Sequence, residues 1–327
     1  MIQSPVGPPV DRIVTRHSVA WRTASALLGL HRVHVIQGGL GNQMYQHAYA
    51  MSLRCVDAVD AVVDVSRCRR TGCYQGYEID RVFTMDGAVP ASRKLMAGAV
   101  YRLARKMGDI SDEGGDVRFN ASFLAPGIRG YVQGFFPSYR YFASQDAERC
   151  VRRAFRFRQT LPSRHDRLRL ELSDGDSVAV HVRRGDYLVG DHARAFMGIC
   201  TPSYYRAAMA EIRRRRPSAR FYFFSDDPAW CQATFGDVAA LVIDGNDREE
   251  AWVDMALMSL CRHAIIANSS FSWWARWIGG YTGSICVGPS QMMNDPRCIS
   301  NIADFLPPCF TQINPAGVVV SQGLWKE

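Results

Sequence analysis

The chain has 327 residues, 47% of them hydrophobic and 21% charged, with a formal net charge of +8. That balance excludes disordered and fibrous classes and makes two domains the natural expectation. Arg supplies nearly all of the positive charge, since Lys occurs only at Lys94, Lys106 and Lys326; the excess reads either as a solvated surface with biased codon usage or as a cleft for an anion.

Residues 1–32 read as an extension. Pro5, Pro8 and Pro9 open it, and its apolar stretch Val19–Leu30 is interrupted by Arg22. That stretch falls well short of the roughly 20 apolar residues needed to span a bilayer. It carries no small-residue cleavage site placed as in a secretory signal. A soluble, cytoplasmic protein is expected, with peripheral contact at the inner membrane allowed by an amphipathic leader.

The first strand signal is Val33-His34-Val35-Ile36, running into Gly38-Gly39-Leu40-Gly41-Asn42-Gln43. Met44, Ala48, Met51 and Cys55 then recur near helical spacing, and Ala61–Val65 reads as the next strand. Strand, Gly-rich turn, helix, strand opens an α/β unit with a parallel sheet. The stretch 94–160 is less regular. It holds an aromatic strand and turn at Gly130–Phe136 and a basic helix or linker at Arg149–Arg158, and Pro162 marks a boundary.

From Ser177 the pattern restarts. Ser177–Val182, Phe221–Phe224, Leu241–Ile243, Ala264–Ala267 and a final Ser284–Val287 read as strands. Tyr204–Arg216, Glu250–Cys261 and Phe271–Ile278 read as helices between them. The expected bounds are an extension over 1–32 and α/β units over 33–160 and 161–327. The ten cysteines show no Cys-x-x-Cys pair, Cys68 and Cys73 being nearest. Most are expected as buried free thiols in a reducing compartment.

The polar motifs all follow expected strands, where open parallel sheets bind ligands. His181-Val182-Arg183-Arg184-Gly185-Asp186-Tyr187 places two guanidiniums at a strand end. Fixed forks of donors suit a departing diphosphate; the plainer reading is a structural Arg pair held by carboxylates. Asn268-Ser269-Ser270-Phe271-Ser272-Trp273-Trp274 opens a helix. Ser or Asn there is an ordinary cap, or an anion site at the helix N-terminus. The tryptophans read first as packing. Ser225-Asp226-Asp227 offers carboxylates to ribose or guanine donors, or else an Asx turn and cap. The Gly-rich segment lacks both the Gly-x-Gly-x-x-Gly register and a phosphate-loop Lys. No ligand cluster with metal spacing is present, and no basic-aromatic module or helix-turn-helix pattern supports nucleic-acid binding.

Together these blocks resemble glycosyltransferase family 11, the α-1,2-fucosyltransferases. Gly38–Met44 matches the family's Gly-Gly-Leu-Gly-Asn-Gln-Met, and His181–Tyr187 its His-x-Arg-Arg-Gly-Asp-Tyr. Phe224–Asp227 with Trp230, Met258–Cys261, Ala267–Trp274 and Gly130–Gln133 match further blocks in order. The departures are the leader, His34, Gln37 and Arg276.

The resemblance implies an α/β protein of two Rossmann-like domains facing a cleft, the glycosyltransferase B type, with GDP-fucose held mainly by the second. It implies metal-independent, inverting transfer of L-fucose, without a cofactor, to a galactoside-containing oligosaccharide or lipid-linked glycan. The alternatives are α-1,6 linkage to N-acetylglucosamine and, in another class, a basic nucleic-acid-binding protein. By resemblance Arg183 and Arg184 hold the diphosphate. Ser225, Asp226, Asp227, Asn268, Ser269, Ser270, Phe271 and Ser272 surround the nucleotide, and Gly41 and Asn42 reach toward the donor. Gly38, Gly39, Gln43, Tyr131 and Gln133 belong to the acceptor side. Asp186 and His181 are the candidates for a base, and both readings of each stay open.

Overall fold

The computed structural model describes residues 32–57, 61–68, 75–86, 110–114, 118–125, 130–238, 240–246, 249–280, 282–296 and 301–324. The expected extension lies outside these residues, apart from Arg32 in the first strand.

The first sheet is parallel, in the order β2-β1-β4-β3, from β1 (Arg32–Val35), β2 (Ala61–Asp64), β3 (Ile110–Asp112) and β4 (Gly130–Gln133). The second has the order β11-β10-β9-β8-β5-β6-β7. Its strands are β5 (Ser177–Val182), β6 (Arg220–Ser225), β7 (Ala240–Ile243), β8 (His263–Ile265), β9 (Cys286–Pro289), β10 (Phe310–Ile313) and β11 (Val319–Ser321). All neighbours pair in parallel except β10 with β11. The chain runs outward from β5 through β6 to β7, then returns to β8 and continues to β10. The direction reverses between β5 and β8, which is the topological switch point where doubly wound sheets bind ligands.

β5 is buried at all six positions. Val178, Val180 and Val182 pack with Tyr204, Tyr205 and Ile212 of the helix Pro202–Arg215. Ala179 joins the opposite core, with Met258, Trp273 and Trp274. Burial on both faces explains the continuous apolar run.

Expected and observed elements differ at several places. The helix α1 (Leu40–Asp57) starts inside the Gly-rich segment rather than at Met44. The second sheet does not end at Val287, because β10 and β11 extend it. Thr311 and Gln312 hide β10 in the sequence, although Thr311 is fully buried. The basic stretch Arg149–Arg158 begins inside a helix Gln145–Ala154, started by Ser144 accepting from Ala147 N–H, and runs past its end.

The halves share one core. The tryptophans of the helix α7 (Ser270–Gly279) are buried against the first half: Tyr45 lies 5.0 Å from both Trp273 and Trp274, and Phe142 stacks on Trp274 at 5.3 Å. Trp273 donates Nε1–H to Phe305 O. Arg276 is buried in the same helix and donates to the carbonyls of Cys261 and Arg262. The eight described cysteines are all free, but only Cys231, Cys261 and Cys286 are buried, and Cys55 is exposed beside Cys150 with sulfurs 3.6 Å apart. The expectation of mostly buried thiols is corrected accordingly.

Candidate functional site

Three adjacent strand ends meet at the switch point. β5 lies between β6 and β8, in register Val180↔Phe223 and Val180↔Ile265. The residues after each strand are therefore neighbours: Arg183–Asp186 after β5, Asp226–Asp227 after β6, and Asn268–Ser270 after β8.

The two arginines are held in place by carboxylates. Arg183 Nη2 lies 2.8 Å from Asp186 Oδ1, and its Nη1 lies 3.1 Å from Asp226 Oδ2. Arg184 donates Nε–H to Asp227 Oδ2 at 3.0 Å, and its guanidinium sits 4.0 Å over the Trp230 ring. Such stacking contributes about 0.5–2 kcal/mol. Burial lowers the Arg183 pKa, and Asp226 and Asp186 more than offset that, so the net shift is upward. Asp227 is held below the usual carboxylate range by its bond from Arg184, then by Trp230 N–H, which it accepts as the helix cap. Asp226 Oδ1 accepts Arg184 N–H at 2.8 Å. Gly185 makes that approach feasible, because a Cβ there would stand 2.7 Å from Asp226 Oδ2. Asp227 thus caps the helix, as the cap reading of that motif expects, and both Asp226 and Asp227 also pair with the arginines. Ser225 Oγ accepts Asp227 N–H.

The Asn-Ser-Ser block caps α7. Ser269 Oγ accepts Phe271 N–H, and Ser272 donates to Ser269 O. Asn268 is buried and donates to Phe196 O and Met292 O. Tyr187 donates to Asn268 O at 3.0 Å, joining the Arg segment to this block. Gly41 of α1 packs directly on α7: a Cβ there would stand 2.7 Å from Ser270 Oγ and 2.8 Å from Phe271 N. Its open side is filled by protein backbone.

His181 is buried, with its ring centroid 5.6 Å from that of Phe271. Burial, then the nearby Arg183, lowers its pKa to about 4, with Asp226 opposing. The ring is neutral at neutral pH. On the acceptor side, Gly38 and Gly39 lie at the end of β1, beside Asn42. Gln43 is fully buried and bonded to Gly38 O, Gly76 O and Glu78 N–H, so its side chain supports the loop instead of facing a ligand. Tyr131 is buried with Val33 and Val35, and Gln133 donates to Asp112. Tyr131 is packed away because β4 lies inside the first sheet, and Gln43 by its bonds from α1, while Gln133 at the end of β4 is half-buried.

Two contacts were not legible in the motifs: Trp230 under Arg184, and His192, whose Nδ1 lies 3.5 Å from Asp186 Oδ2. Among the described residues, no three His, Cys, Asp or Glu side chains gather as a metal site, and no helix is long and apolar enough to cross a membrane.

The family model for glycosyl transferase family 11 matches residues 129–308. An alpha-1,2-colitosyltransferase of Escherichia coli is 31% identical over 275 residues, covering 78% of this chain and 90% of that protein. The chain belongs to glycosyltransferase family 11. A galactoside alpha-(1,2)-fucosyltransferase 1 of Saimiri boliviensis boliviensis is 34% identical over 105 residues, 32% of this chain and 29% of its own length. A solved structure of the fucosyltransferase NodZ from Bradyrhizobium aligns with a TM-score of 0.47 at 14% identity, over 76% of this chain and 93% of that one. The family 11 span contains the Arg pair, the aspartates and the Asn-Ser-Ser block. The Gly-rich block lies before it and reaches the same site through α1. As a member of the family the chain is a glycosyltransferase with two Rossmann-like units.

Proposed function

We propose that this glycosyltransferase transfers L-fucose from GDP-fucose to the 2-hydroxyl of a terminal β-galactoside, with inversion and without a metal. The observation that carries the reading is the placement of Arg183 and Arg184 at the switch point, beside the capped N-terminus of α7. A leaving GDP gains negative charge on its β-phosphate as the bond to the sugar breaks. Two fixed guanidiniums and a helix N-terminus stabilise that charge more in the transition state than in the ground state. The carboxylates that hold the arginines fix both guanidiniums at the strand ends. With that charge met by arginine, a metal is redundant. The bond of Asn42 to Ser270 supports a reading in which the first half contributes to the donor site.

The relatives named for α-1,2 transfer support the linkage. The relative named for colitose transfer makes the donor sugar a second question, so the donor panel includes GDP-colitose. The nucleic-acid alternative rests on charge alone, and Arg152, Arg167, Arg206, Arg214 and Arg215 each pair with a neighbouring carboxylate. The test is incubation with GDP-fucose and GDP-colitose against a panel of β-galactoside and N-acetylglucosamine acceptors, followed by NMR linkage analysis. A product carrying fucose at the galactose 2-position is expected. Fucose at another position refutes the linkage, and no transfer from either donor refutes the reading.

A further inference from the structure

An inverting transfer is helped by a base beside the attacking hydroxyl, and neither residue expected for it suits the role. His181 is buried behind Phe271. The Asp186 side chain is only 9% exposed and is held by Arg183. Asp226 accepts Arg184 N–H and faces Arg183, and Asp227 caps a helix and holds Arg184. His192 differs from all four: its side chain is 41% exposed, and its Nδ1 faces the second oxygen of Asp186.

Resting on the transfer reading above, we propose that His192 is the catalytic base and Asp186 its positioning residue. The carboxylate has two faces in use. Oδ1 meets Arg183, and Oδ2 meets His192 at 3.5 Å. An Nδ1–H donated to Asp186 leaves the lone pair on Nε2, the nitrogen away from the carboxylate, to take a proton. A carboxylate on one imidazole nitrogen fixes the tautomer and stabilises the imidazolium that forms. The contact is long for a hydrogen bond, as catalytic contacts often are before substrate binds.

Two further observations place this imidazole at an acceptor site. First, its segment is anchored. The short helix Gly190–Phe196 is tied down by Asn268 to Phe196 O, by Asn294 to Arg194 O and Met197 O, and by Tyr187 stacked on Phe196 at 4.7 Å. The base is therefore held before substrate arrives, which lowers the entropic cost of reaching the reactive geometry. Second, the same segment exposes Leu188, Val189 and Met197. Apolar side chains beside a polar catalytic pair suit the C–H face of a sugar.

In the step itself, the acceptor O–H bond breaks toward His192 Nε2 as its oxygen bonds to the fucose anomeric carbon. The bond from that carbon to the β-phosphate oxygen breaks, and its electron pair leaves on GDP. The imidazolium then returns its proton to water. The one Asp186 carboxylate lies between this imidazole and the Arg183 that meets the diphosphate, so it anchors both through different oxygens.

The experiment compares wild type, His192→Gln and His192→Ala in GDP binding by calorimetry and in transfer from GDP-fucose to a β-galactoside. General-base removal is expected to lower kcat by about 10²-fold or more, with the GDP dissociation constant within about twofold of wild type. Added imidazole is expected to restore part of the His192→Ala turnover in a saturable way. A kcat within about threefold of wild type overturns the proposal. So does a loss of GDP affinity that accounts for the whole loss of turnover, which would make His192 a donor-binding group. An inactive wild type counts instead against the transfer reading, so the two failures are distinguishable.

Discussion

Ser270 Oγ donates a hydrogen bond to Asn42 Oδ1 at 3.0 Å, joining residues 228 apart in the chain. The bond ties the first turn of α1 to the first turn of α7. Gly41 packs against the same turn of α7. The Gly-rich block therefore meets the Asn-Ser-Ser block through a helix-to-helix contact, and the position of one helix sets the other.

That contact reverses an ordinary rule. Gly inside a helix is about 1 kcal/mol worse than Ala, so Gly41→Ala would normally stabilise. Here the added Cβ meets Ser270 Oγ and Phe271 N, and overpacking of this kind costs about 1–3 kcal/mol. A lower melting temperature and a raised KM for the donor are expected. A stabilised, fully active variant would show that the two helices separate freely.

Arg184→Ala is expected to reduce kcat/KM by about 10²-fold or more, the scale seen when a transition-state donor is removed. Arg184→Lys is expected to fail nearly as badly. An ammonium cannot both donate to Asp227 and lie flat over Trp230. Steady-state kinetics of the two variants check this, with circular dichroism to confirm folding. Near-normal kinetics for the Lys variant would remove Arg184 from the diphosphate.

Stability is expected to fall as pH drops below about 6.5, the ordinary histidine value. Burial holds His181 at about 4 and His47 at about 3. Between those values and 6.5, the unfolded rings take up protons that the native rings refuse, so acid favours unfolding. The stabilisation is fully present above 6.5 and is lost toward pH 4 and 3. Each unit of depression corresponds to about 1.4 kcal/mol. Urea midpoints at pH 8, 6 and 5 measure the effect, and a His47→Gln variant should show a shallower dependence. A His47→Gln variant with the same pH dependence as wild type would contradict the buried neutral ring.

Transfer is expected to proceed at full rate in excess EDTA, because arginine meets the charge of the leaving group. Turnover lost in the chelator and restored by Mg²⁺ or Mn²⁺ would overturn the metal-free reading and transfer its electrostatic role to the ion.

The strand Ser177–Val182 was legible residue for residue, because a strand covered on both faces must be apolar throughout. The motifs after it were legible as polar clusters at strand ends, with both the capping and ion-pair roles that the structure shows among the readings open to them. The packing role of Trp273 and Trp274 was legible too. β10 was not, because Thr311 and Gln312 break its apolar run. Nor was the start of α1, where Gly39 and Gly41 read as a turn and only contact with α7 explains a helix.

The sequence by itself determined the alternation of strands and helices and the position of each polar motif at a strand end. Both follow from local periodicity and short-range chemistry. The tertiary structure decided which ends meet. Asp226 reaches Arg183, and Asn268 reaches Tyr187, because β5 lies between β6 and β8. His192 reaches Asp186 because its short helix folds back under Asn268 and Asn294. Strand order and helix docking are set by the burial of distant surfaces against one another, and no local pattern encodes that.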